Sequence, residues 1–576
     1  MSSCLLGGLF PGAAAGQSFD LFTGTFYPLQ VHYVQGEQAG PTVMVQGGAQ
    51  GDEVTGVLTA DILRRSRVKR GNLIVIPRAN VPALDWGRRQ VNVDLNRRFD
   101  RDYAEFYEDI LARAIKFFAA RSDGLVHLHE GSGFYSPQYI NSSRNPGRFG
   151  QSVIIDCTAY SGVPDLGEMA SRAIDRVNPR VIPSRYVFTL FNTRTFDQDT
   201  EHSEQRKSLT FHTVSNLRKP AMAVEVSKDI RDLGWKVKQQ LSMTCELLDN
   251  MGVVVEPPED AEKRAASWYN GSIPLEINGR SLEEGGGVAL KRMSVLRVGL
   301  TRETKRSWSV SPAGMPEINL LTSEAAALTD FDHLRVAVDG RAVKEVPVHW
   351  TGPKPEGAGK SPILVYSLNG RLRFSPPGGD IPARPGDSLF IHGLWGEKGR
   401  EVLNIKGYVS DLQNNDGQDK HSRFVLFREQ FIDRYIQEDG RGFKAKIVRE
   451  TPGKPENEWL LRVRPDPAPQ VFCRRGREWR SLITDRENRV PPGTYTLTVP
   501  DRKHILYSLP GHIGPVQEPR LSLQSGQRVD VEVMDARTFE PMEKILIQAN
   551  GEIRPNRASN LKDRVLYRPL GPEAGK

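Results

Sequence analysis

A glycine-rich turn near the start of the chain carries two side chains whose oxygens could bind a metal ion. Residues 47–53 read GGAQGDE and stand between an apolar, strand-like stretch and a stretch with helical spacing. Glycines let the backbone turn tightly at the carboxyl edge of a sheet, where open α/β folds usually place their sites. Gln50 and Glu53 are feasible zinc ligands, although zinc more often takes His, Cys, Asp or Glu. A glycine-rich turn with solvated polar residues is the alternative.

A second cluster combines arginines with an Asn-Arg pair. Residues 94–99 read DLNRRF, and Arg88 and Arg89 lie just upstream. Arginine side chains bind carboxylates through two parallel hydrogen bonds, so several of them near a pocket indicate a substrate with an anionic end. A salt-bridge network at the protein surface is the alternative interpretation.

A third cluster, residues 127–135 (HLHEGSGFY), lies at the end of an apolar, strand-like stretch. Side chains two positions apart project to the same side of an extended chain, so His127 and His129 lie together. One imidazole could bind a metal while the other supports it. A histidine in a strand is more often structural, so the metal-binding interpretation depends on the other clusters.

Glu225 is a carboxylate near the end of an otherwise apolar stretch, residues 221–227 (AMAVEVS). Burying a carboxylate costs free energy unless a partner compensates its charge. Close to a metal-bound water it could act first as a general base and then as a general acid. A glutamate exposed at a strand end is the alternative.

The elements that must position these clusters are predicted within the first 255 residues. Strand-like and helix-like segments alternate there, which predicts an α/β fold with a mixed, mostly parallel sheet flanked by helices. The predicted strands include 42–45, 73–76, 125–128 and 221–226, and the predicted helices include 54–63, 102–120, 166–177 and 230–248.

After Val255 the pattern changes. Pro257 and Pro258 open a predicted linker, and short strands and turn signals predominate from Ile273 onward. This pattern predicts two or three small β-sandwich or barrel modules, with one possible helix at 323–327. The predicted domains are a possible signal-peptide remnant or tail (1–20), a catalytic domain (21–255) and β modules at 256–345, 346–465 and 466–576.

The composition is that of a globular protein, with 38% hydrophobic and 26% charged residues. No apolar run of about 18 residues is present, so we expect no membrane-spanning helix. The net charge is +8, but the basic residues are scattered, which indicates a solvated surface rather than a nucleic-acid-binding one. Residues 4–15 (CLLGGLFPGAAA) resemble the second half of a secretory signal that lacks its positive start, so we expect a periplasmic or otherwise exported protein. Cys157 and Cys245 could then form a disulfide, or both could be buried thiols.

Together and in this order, the four clusters resemble the zinc carboxypeptidase superfamily, which includes the aspartoacylase and succinylglutamate desuccinylase enzymes. The resemblance covers roughly residues 40 to 255 and implies that Glu53 and His129 are zinc ligands and that Glu225 activates a water molecule.

Three further residues match the substrate-binding positions of the superfamily. Arg89 lies seven positions before Asn96, as in the acylase branch, and the resemblance implies that it polarises the scissile carbonyl and steadies the oxyanion. Asn96 and Arg97 would hold the terminal carboxylate of the substrate. The mobile tyrosine of the digestive carboxypeptidases has no counterpart in residues 196–216, which contain no tyrosine. Its role is unassigned; the candidates are His202, His212 and Tyr135.

Gln50 departs from the superfamily pattern, because most members have histidine there. The same change occurs in a narrower branch, the peptidoglycan-trimming carboxypeptidases that determine helical or curved cell shape in some bacteria. Those enzymes also have small β domains and a stretch similar to residues 127–135. This resemblance implies one Zn²⁺ ion held by Gln50, Glu53 and His129. An amide oxygen is a poorer donor than imidazole, so weaker metal retention is expected.

The implied function is that of a zinc-dependent metallocarboxypeptidase, which hydrolyses a peptide bond near the free carboxylate end of muropeptides and so trims peptidoglycan stem peptides. The expected partners are these muropeptides. Two alternatives stay open. One is an N-acyl amino acid deacylase of the aspartoacylase or desuccinylase type. The other is a catalytically dead cell-wall-binding protein, which Gln50 favours and the other intact positions oppose.

Overall fold

The computed structural model describes most of residues 17–549. Residues 1–16, where the sequence resembles a secretory signal, and residues 550–576 lie outside the described residues. So do the internal positions 23–26, 104, 271, 283–285, 293, 303–305, 316–317, 322–324, 327–329, 354–361, 370, 396–400, 410–416, 421, 441, 454–455, 465–470, 477, 483–486, 500–503, 508–518, 537–538 and 540.

The first part of the chain folds around a nine-stranded mixed sheet. Its strands, with the short β6–β7 pair beside them, are β1 (Gln17–Leu21), β2 (Leu29–Gln35), β3 (Gln38–Gln46), β4 (Arg67–Ile76), β5 (Gly124–Gly131), β6 (Phe134–Tyr135), β7 (Arg144–Asn145), β8 (Ser152–Ile155), β9 (Thr189–Asn192), β10 (Ala221–Ser227) and β11 (Val254–Glu256). The order is β1-β2-β4-β3-β5-β10-β8-β9, with β11 paired to β4. The central strands β4, β3, β5 and β10 run parallel to one another. Every residue of β5 is buried, as expected for a strand covered on both faces. The predicted α/β fold class is confirmed.

Helices cover this sheet. They are α1 (Val54–Leu63), α2 (Val81–Trp86), α3 (Tyr107–Ala119), α4 (Leu166–Val177), α5 (Leu209–Ser215), α6 (Leu233–Asn250) and α7 (Ala261–Ala266). The helix predicted from residue 102 begins only at Tyr107, because the Asp109 carboxylate accepts hydrogen bonds from the backbone N–H groups of Glu105 and Phe106 at 2.7 and 2.8 Å. None of the helices described has the length and apolar character needed to cross a membrane.

The segment after Val253 continues the α/β fold instead of forming the predicted linker. Strand β11 pairs with β4 in antiparallel fashion, and α7 packs against α6. The proline pair that suggested a linker occupies the short turn between these two elements.

Two cysteines that could have formed a disulfide are separate in the structure. Cys157 and Cys245 are both free, so the disulfide alternative is wrong, and the two thiols are partly rather than fully buried.

The described residues beyond Ala266 form β-rich modules around three hydrophobic cores. The first core is surrounded by β12 (Leu275–Ile277), β13 (Arg280–Ser281), β14 (Val288–Lys291), β15 (Val295–Leu296), β16 (Val298–Leu300), β17 (Trp308–Pro312), β18 (Ala325–Ala326), β19 (His333–Val338) and β20 (Arg341–Thr351). Of the possible helix predicted at 323–327, the structure describes only Ala325 and Ala326. These two residues form strand β18, not a helix. The other three positions of the predicted helix lie outside the described residues.

Each of the other two cores belongs to a pair of sheets. One belongs to β21 (Ile363–Leu368), β22 (Arg371–Ser375), β23 (Asp380–Ala383), β24 (Ser388–Trp395), β25 (Leu403–Ile405), β26 (Arg423–Val425), β27 (Gln437–Asp439), β28 (Gly442–Arg449) and β29 (Asn457–Val463). The other belongs to β30 (Val471–Arg475), β31 (Glu478–Leu482), β32 (Glu487–Val490), β33 (Gly493–Thr498), β34 (His504–Tyr507), β35 (Arg520–Leu523), β36 (Arg528–Asp535) and β37 (Pro541–Ala549). Contacts divide the chain into two compact units, 1–465 and 466–576.

Within the first compact unit, the first β module packs directly on the α/β region. The carboxylate of Asp339, in the turn between β19 and β20, accepts hydrogen bonds from Arg78 Nε at 2.6 Å and Trp268 Nε1 at 2.7 Å. The next residue, Gly340, lies so close to α2 that an added Cβ would stand 2.0 Å from the carbonyl oxygen of Leu84. A buried ion pair and a close backbone contact therefore join the two parts.

Candidate active site

The carboxyl edge of the central strands brings the predicted residues together. Strands β5 and β10 are parallel neighbours, and their register places Glu225 beside His129. The turn that carries Gln50 and Glu53 follows β3, the neighbour of β5 on its other side. Side chains from three distant stretches of chain therefore meet at one edge of the sheet, as the order of the parallel strands requires.

Glu53 and His129 are in direct contact. The Glu53 Oε2 atom lies 2.8 Å from His129 Nδ1, and it also accepts a hydrogen bond from the Glu130 backbone N–H at 3.2 Å. On its other side, His129 Nε2 lies 3.1 Å from His127 Nδ1. His127 therefore supports the imidazole that faces Glu53, as the sequence interpretation expected for one of the two histidines.

Gln50 lines the same cavity as Glu53 and His129. Its Nε2 donates to Asp94 Oδ1 at 2.9 Å, and this hydrogen bond fixes the orientation of the amide group. The buried Gln50 Oε1 has no hydrogen-bond partner among the described residues. A buried acceptor without a partner is costly, and a bound cation would satisfy it.

These three donors fit a metal ion. Within the described part of the chain no three His, Cys, Asp and Glu side chains are grouped so that they could hold one, and the unpartnered Gln50 amide oxygen is a further donor in the cavity beside Glu53 and His129. Burial raises the pKa of Glu53 to about 8 and lowers the pKa of His129 to about 3, because desolvation penalises both charged forms. A divalent cation would favour the ionised carboxylate and neutral imidazole that metal binding needs.

Glu225 faces this group of donors with an oxygen that is free to react. Its Oε2 is buried and has no hydrogen-bond partner among the described residues. Burial, followed by the negative charge of Glu53, raises the pKa of Glu225 well above its usual value, and the Lys228 ammonium opposes the shift. A carboxyl group with a raised pKa is a stronger base than an ordinary carboxylate, as a general base requires.

Asp94 connects the residues that the sequence predicts to bind metal with those that it predicts to bind substrate. Its Oδ2 accepts from Arg89 Nη2 at 2.7 Å, while its Oδ1 accepts from Gln50 and from the Asn96 backbone N–H. Burial opposes ionisation of this carboxyl, but the Arg89 and Arg97 charges outweigh it and hold the pKa of Asp94 below its usual value. Arg89 Nη1 also lies 3.8 Å from Glu53 Oε1, so Arg89 reaches the place where the three donors meet.

Asn96 and Arg97 occupy the next part of the site. Asn96 Oδ1 accepts the Leu209 backbone N–H at 3.0 Å, so this oxygen holds the start of α5 and only the Nδ2 group remains for a ligand. Arg97 Nη1 donates to the Asn96 backbone oxygen at 2.9 Å. Burial lowers the pKa of Arg97, while the charge of Asp94 opposes the shift.

These side chains surround one cavity of about 330 Å³. All seven site residues predicted from the sequence line it: Gln50, Glu53, His129, Glu225, Arg89, Asn96 and Arg97. The candidates for the missing tyrosine are not among the described lining residues. Tyr135 instead stacks on Phe191 with ring centroids 3.8 Å apart, and His202 packs edge-on against the same ring.

Residues 28–269 match the model of a family described as the catalytic part of carboxypeptidases controlling helical cell shape. The matched segment is therefore similar to the catalytic part of that family. It spans the α/β region through α7 and ends before β12, so the family's catalytic part coincides with the part of the chain that holds the cavity.

Two kinds of known proteins are similar to the chain. The N-alpha-acetyl-L-2,4-diaminobutyric acid deacetylase of Halomonas elongata is 33% identical over 102 residues, which are 16% of this chain and 29% of that protein. The chain thus spans less than a third of the length of this relative. Two crystal structures of the cell shape determinant Csd4 from Helicobacter pylori also match. The product-bound form has 19% identity and a TM-score of 0.44, covering 73% of this chain and 95% of that one. The mDAP-bound form, described as a D,L-carboxypeptidase, has 20% identity and a TM-score of 0.43, covering 73% and 96%.

Three residues in or beside the cavity had no role assigned to them from the sequence. Asp94 stood inside the DLNRRF cluster, and its place two residues before Asn96 was the available signal. Lys228 follows Glu225 by three positions, and its Nζ lies 2.5 Å from Asp52 Oδ2 and 3.8 Å from Glu53 Oε1. Asp156 lines the cavity and carried no signal in the sequence at all.

Proposed function

We propose that the protein is a zinc-dependent carboxypeptidase that hydrolyses a peptide bond near the free carboxylate end of muropeptides. The family description supports carboxypeptidase activity and a link to cell shape. The observation that carries the proposal is that Gln50, Glu53, His129 and Glu225 line one cavity, in which the Gln50 Oε1 and Glu225 Oε2 atoms are buried without a hydrogen-bond partner among the described residues.

The three donors define the place of the proposed zinc ion. When bound, zinc would supply Lewis-acid chemistry, acidifying water and polarising a carbonyl group. Glu225 Oε2 accepts the proton of the attacking water and later returns it to the leaving amine. Arg89 donates hydrogen bonds to the carbonyl oxygen as negative charge develops on it, while Asp94 holds the guanidinium in position.

The cationic end of the cavity fits a substrate that ends in a carboxylate. Arg97 and the Asn96 amide group line the cavity beside Arg89, and a guanidinium can bind a carboxylate through two hydrogen bonds. Peptidoglycan stem peptides end in such a group, and the cell-shape role of the family supports them as substrates. We propose an exported, periplasmic location, supported by the apolar segment 4–15 and by the place where such substrates occur.

The test is hydrolysis of isolated muropeptides, with the products identified by mass spectrometry and the zinc content of the protein measured in parallel. We expect wild-type protein to release a C-terminal residue and Glu225→Ala to lose about 10²-fold or more in kcat/KM while keeping its zinc. Glu168→Ala is the control, because Glu168 is 78% exposed on α4. Full hydrolysis by Glu225→Ala would refute the mechanism.

A second candidate is an N-acyl amino acid deacylase, favoured by the similarity to the Halomonas deacetylase. It would use the same donors and the same Glu225, but it would release an acyl group instead of an amino acid. Assays of wild-type protein on muropeptides and on N-acyl amino acids separate the two. Zinc-free protein that binds peptidoglycan without any hydrolysis would instead support a cell-wall-binding protein without catalysis.

A further inference from the structure

A buried glutamine behind the two histidines has no role in the proposed chemistry. Gln46 is the last residue of β3, stands opposite His127 in the register of β3 and β5, and is 0% exposed. Its Nε2 atom lies 3.3 Å from His127 Nε2. Its Oε1 atom is buried and has no hydrogen-bond partner among the described residues. A buried acceptor without a partner is costly, so a state of the site that gives this oxygen a donor would recover free energy.

Gln46 is the first member of a chain of four polar side chains. His127 Nδ1 lies 3.1 Å from His129 Nε2, and His129 Nδ1 lies 2.8 Å from Glu53 Oε2. Both imidazoles are buried, which favours their neutral forms, and a neutral imidazole carries its hydrogen on only one of its two ring nitrogens. Each ring therefore donates at one end and accepts at the other, so all hydrogen bonds of the chain run in the same direction.

In the orientation that the structure shows, the hydrogen bonds run from Gln46 to Glu53. The Gln46 amide nitrogen donates to His127 Nε2, His127 Nδ1 donates to His129 Nε2, and His129 Nδ1 donates to the Glu53 carboxylate. This direction places a hydrogen on His129 Nδ1, the ring nitrogen that faces Glu53. A metal ion held by Glu53 and His129 needs the lone pair of that nitrogen instead.

Metal binding therefore requires the opposite direction. His129 must carry its hydrogen on Nε2 and donate it to His127 Nδ1, and His127 must then donate from Nε2 toward Gln46. An amide nitrogen cannot accept this hydrogen bond, but an amide oxygen can. Rotating the Gln46 amide group by 180° exchanges its two atoms and places the unpartnered Oε1 beside His127 Nε2.

We propose that Gln46 is a positioning residue whose amide oxygen accepts the hydrogen of His127 Nε2 and so keeps His129 Nδ1 available to the proposed metal ion. The inference rests on the metal site of the proposed function and extends it to a residue that is not among the described lining residues of the cavity. Glutamine serves both directions of the chain, because one atom of its amide group donates and the other accepts. Zinc-free and zinc-bound protein therefore differ in the orientation of this amide group.

Substitutions of Gln46 test the proposal through zinc affinity, without an assay of hydrolysis. Gln46→Met fills a similar volume without a strong acceptor, so we expect it to lower zinc affinity by about 10- to 100-fold, the usual cost of losing the partner of a metal ligand. Gln46→Glu keeps an accepting oxygen and should retain the wild-type affinity. Competition with a chelator of known zinc affinity measures all three proteins. Gln138→Met is the control, because Gln138 is exposed.

Nitrogen NMR spectra of protein with isotope-labelled histidine show which ring nitrogen carries the hydrogen. We expect His127 to carry it on Nε2 in zinc-bound wild-type protein and on Nδ1 in zinc-free protein. The His127 signals are identified by their absence from His127→Phe. A purely structural role of Gln46 would not move this hydrogen. The comparison of zinc-free and zinc-bound states uses wild-type protein, so it decides the matter even if a Gln46 variant fails to fold. A hydrogen that stays on His127 Nδ1 after zinc binding would overturn the proposal.

Zinc affinity and hydrolysis together separate this inference from the proposed function. If muropeptides are not hydrolysed but Gln46→Met binds zinc more weakly than wild-type protein and Gln46→Glu, the peptidase function fails and the role of Gln46 stands. If muropeptides are hydrolysed but both variants bind zinc as wild-type protein does, the inference alone fails. Equal losses of zinc affinity in the two variants would also refute it, because they would indicate a packing effect rather than a hydrogen bond.

Discussion

At the scale of single residues, the site depends on one carboxylate that touches neither the proposed metal nor the reacting bond. Asp94 orients the Gln50 amide and holds the Arg89 guanidinium. An amide ligand can bind a cation through its oxygen only, so the hydrogen bond to its nitrogen decides which atom faces the site. Asp94 is therefore the residue that would make Gln50 usable as the proposed metal ligand.

We expect Asp94→Asn to lower zinc affinity by about 10- to 100-fold, the usual cost of losing the partner of a metal ligand. The asparagine side chain has one oxygen that can accept a hydrogen bond in place of the two Asp94 oxygens, and it carries no negative charge to pair with Arg89. Zinc retained after dialysis against a graded chelator measures the effect. Asp100→Asn is the control, since Asp100 is exposed and bonds only to Tyr103 among described partners. Unchanged zinc retention in Asp94→Asn would show that Gln50 needs no such orientation.

At the scale of secondary structure, an ion pair fixes the end of the strand that carries His129. Glu130, the next residue of β5, accepts from Lys236 of α6 at 2.5 Å and from the Thr55 hydroxyl of α1 at 2.6 Å. Gln240, also on α6, donates to the His129 backbone oxygen at 2.9 Å. Two helices thus hold the strand end beside the turn that carries Gln50 and Glu53.

Replacing Lys236 by methionine should lower the free energy of unfolding by about 3–5 kcal/mol, because it leaves the buried Glu130 charge without its cation. Lys238→Met provides a matched control on the same helix. Lys238 also pairs with a glutamate, but its side chain is 54% exposed, so about 0–1 kcal/mol is expected. Chemical denaturation of the three proteins measures both changes. Equal losses for the two variants would contradict the role of the buried pair.

The elements that could be predicted from the sequence are those whose own residues show a glycine-rich turn or an apolar run. The turn at 47–53 and the buried strands beside it follow from glycine content and apolar runs, and the four clusters were sufficient to place Gln50, Glu53, His129 and Glu225 around one cavity. Asp156 could not be predicted in this way. Its position depends on the pairing of β8 with β10, which joins segments about 70 residues apart and has no local signature.

At the scale of the whole molecule, the first β module is part of the structure that supports the site. Asp85 of α2 is partly buried against this module, where its Oδ2 lies 3.4 Å from Asn319 Nδ2 and its backbone oxygen accepts from Arg335 at 3.0 Å. Burial, followed by the charge of Asp339, raises the pKa of Asp85 from 3.8 to about 7. The folded protein therefore holds a proton that the unfolded chain has already released at mildly acidic pH.

A group with a raised folded-state pKa stabilises the protein fully at low pH, and this contribution is lost as the pH rises through the folded value. The melting temperature of wild-type protein should therefore fall relative to that of Asp85→Asn between about pH 4 and about pH 7. Above that range the difference should stay constant. Thermal unfolding of both proteins in matched buffers measures it, and a difference independent of pH would show that Asp85 is already ionised in the folded state.

The close approach of Gly340 to α2 limits how the chain can be divided for study. A fragment that stops after α7 would expose the helix surface beneath Gly340 and leave the Arg78 side chain without the Asp339 carboxylate. Shortened versions intended to isolate catalysis should therefore keep residues up to 465, the end of the first compact unit. Replacing the first β module by another would have to preserve the turn at 339–340 together with the α2 surface it meets.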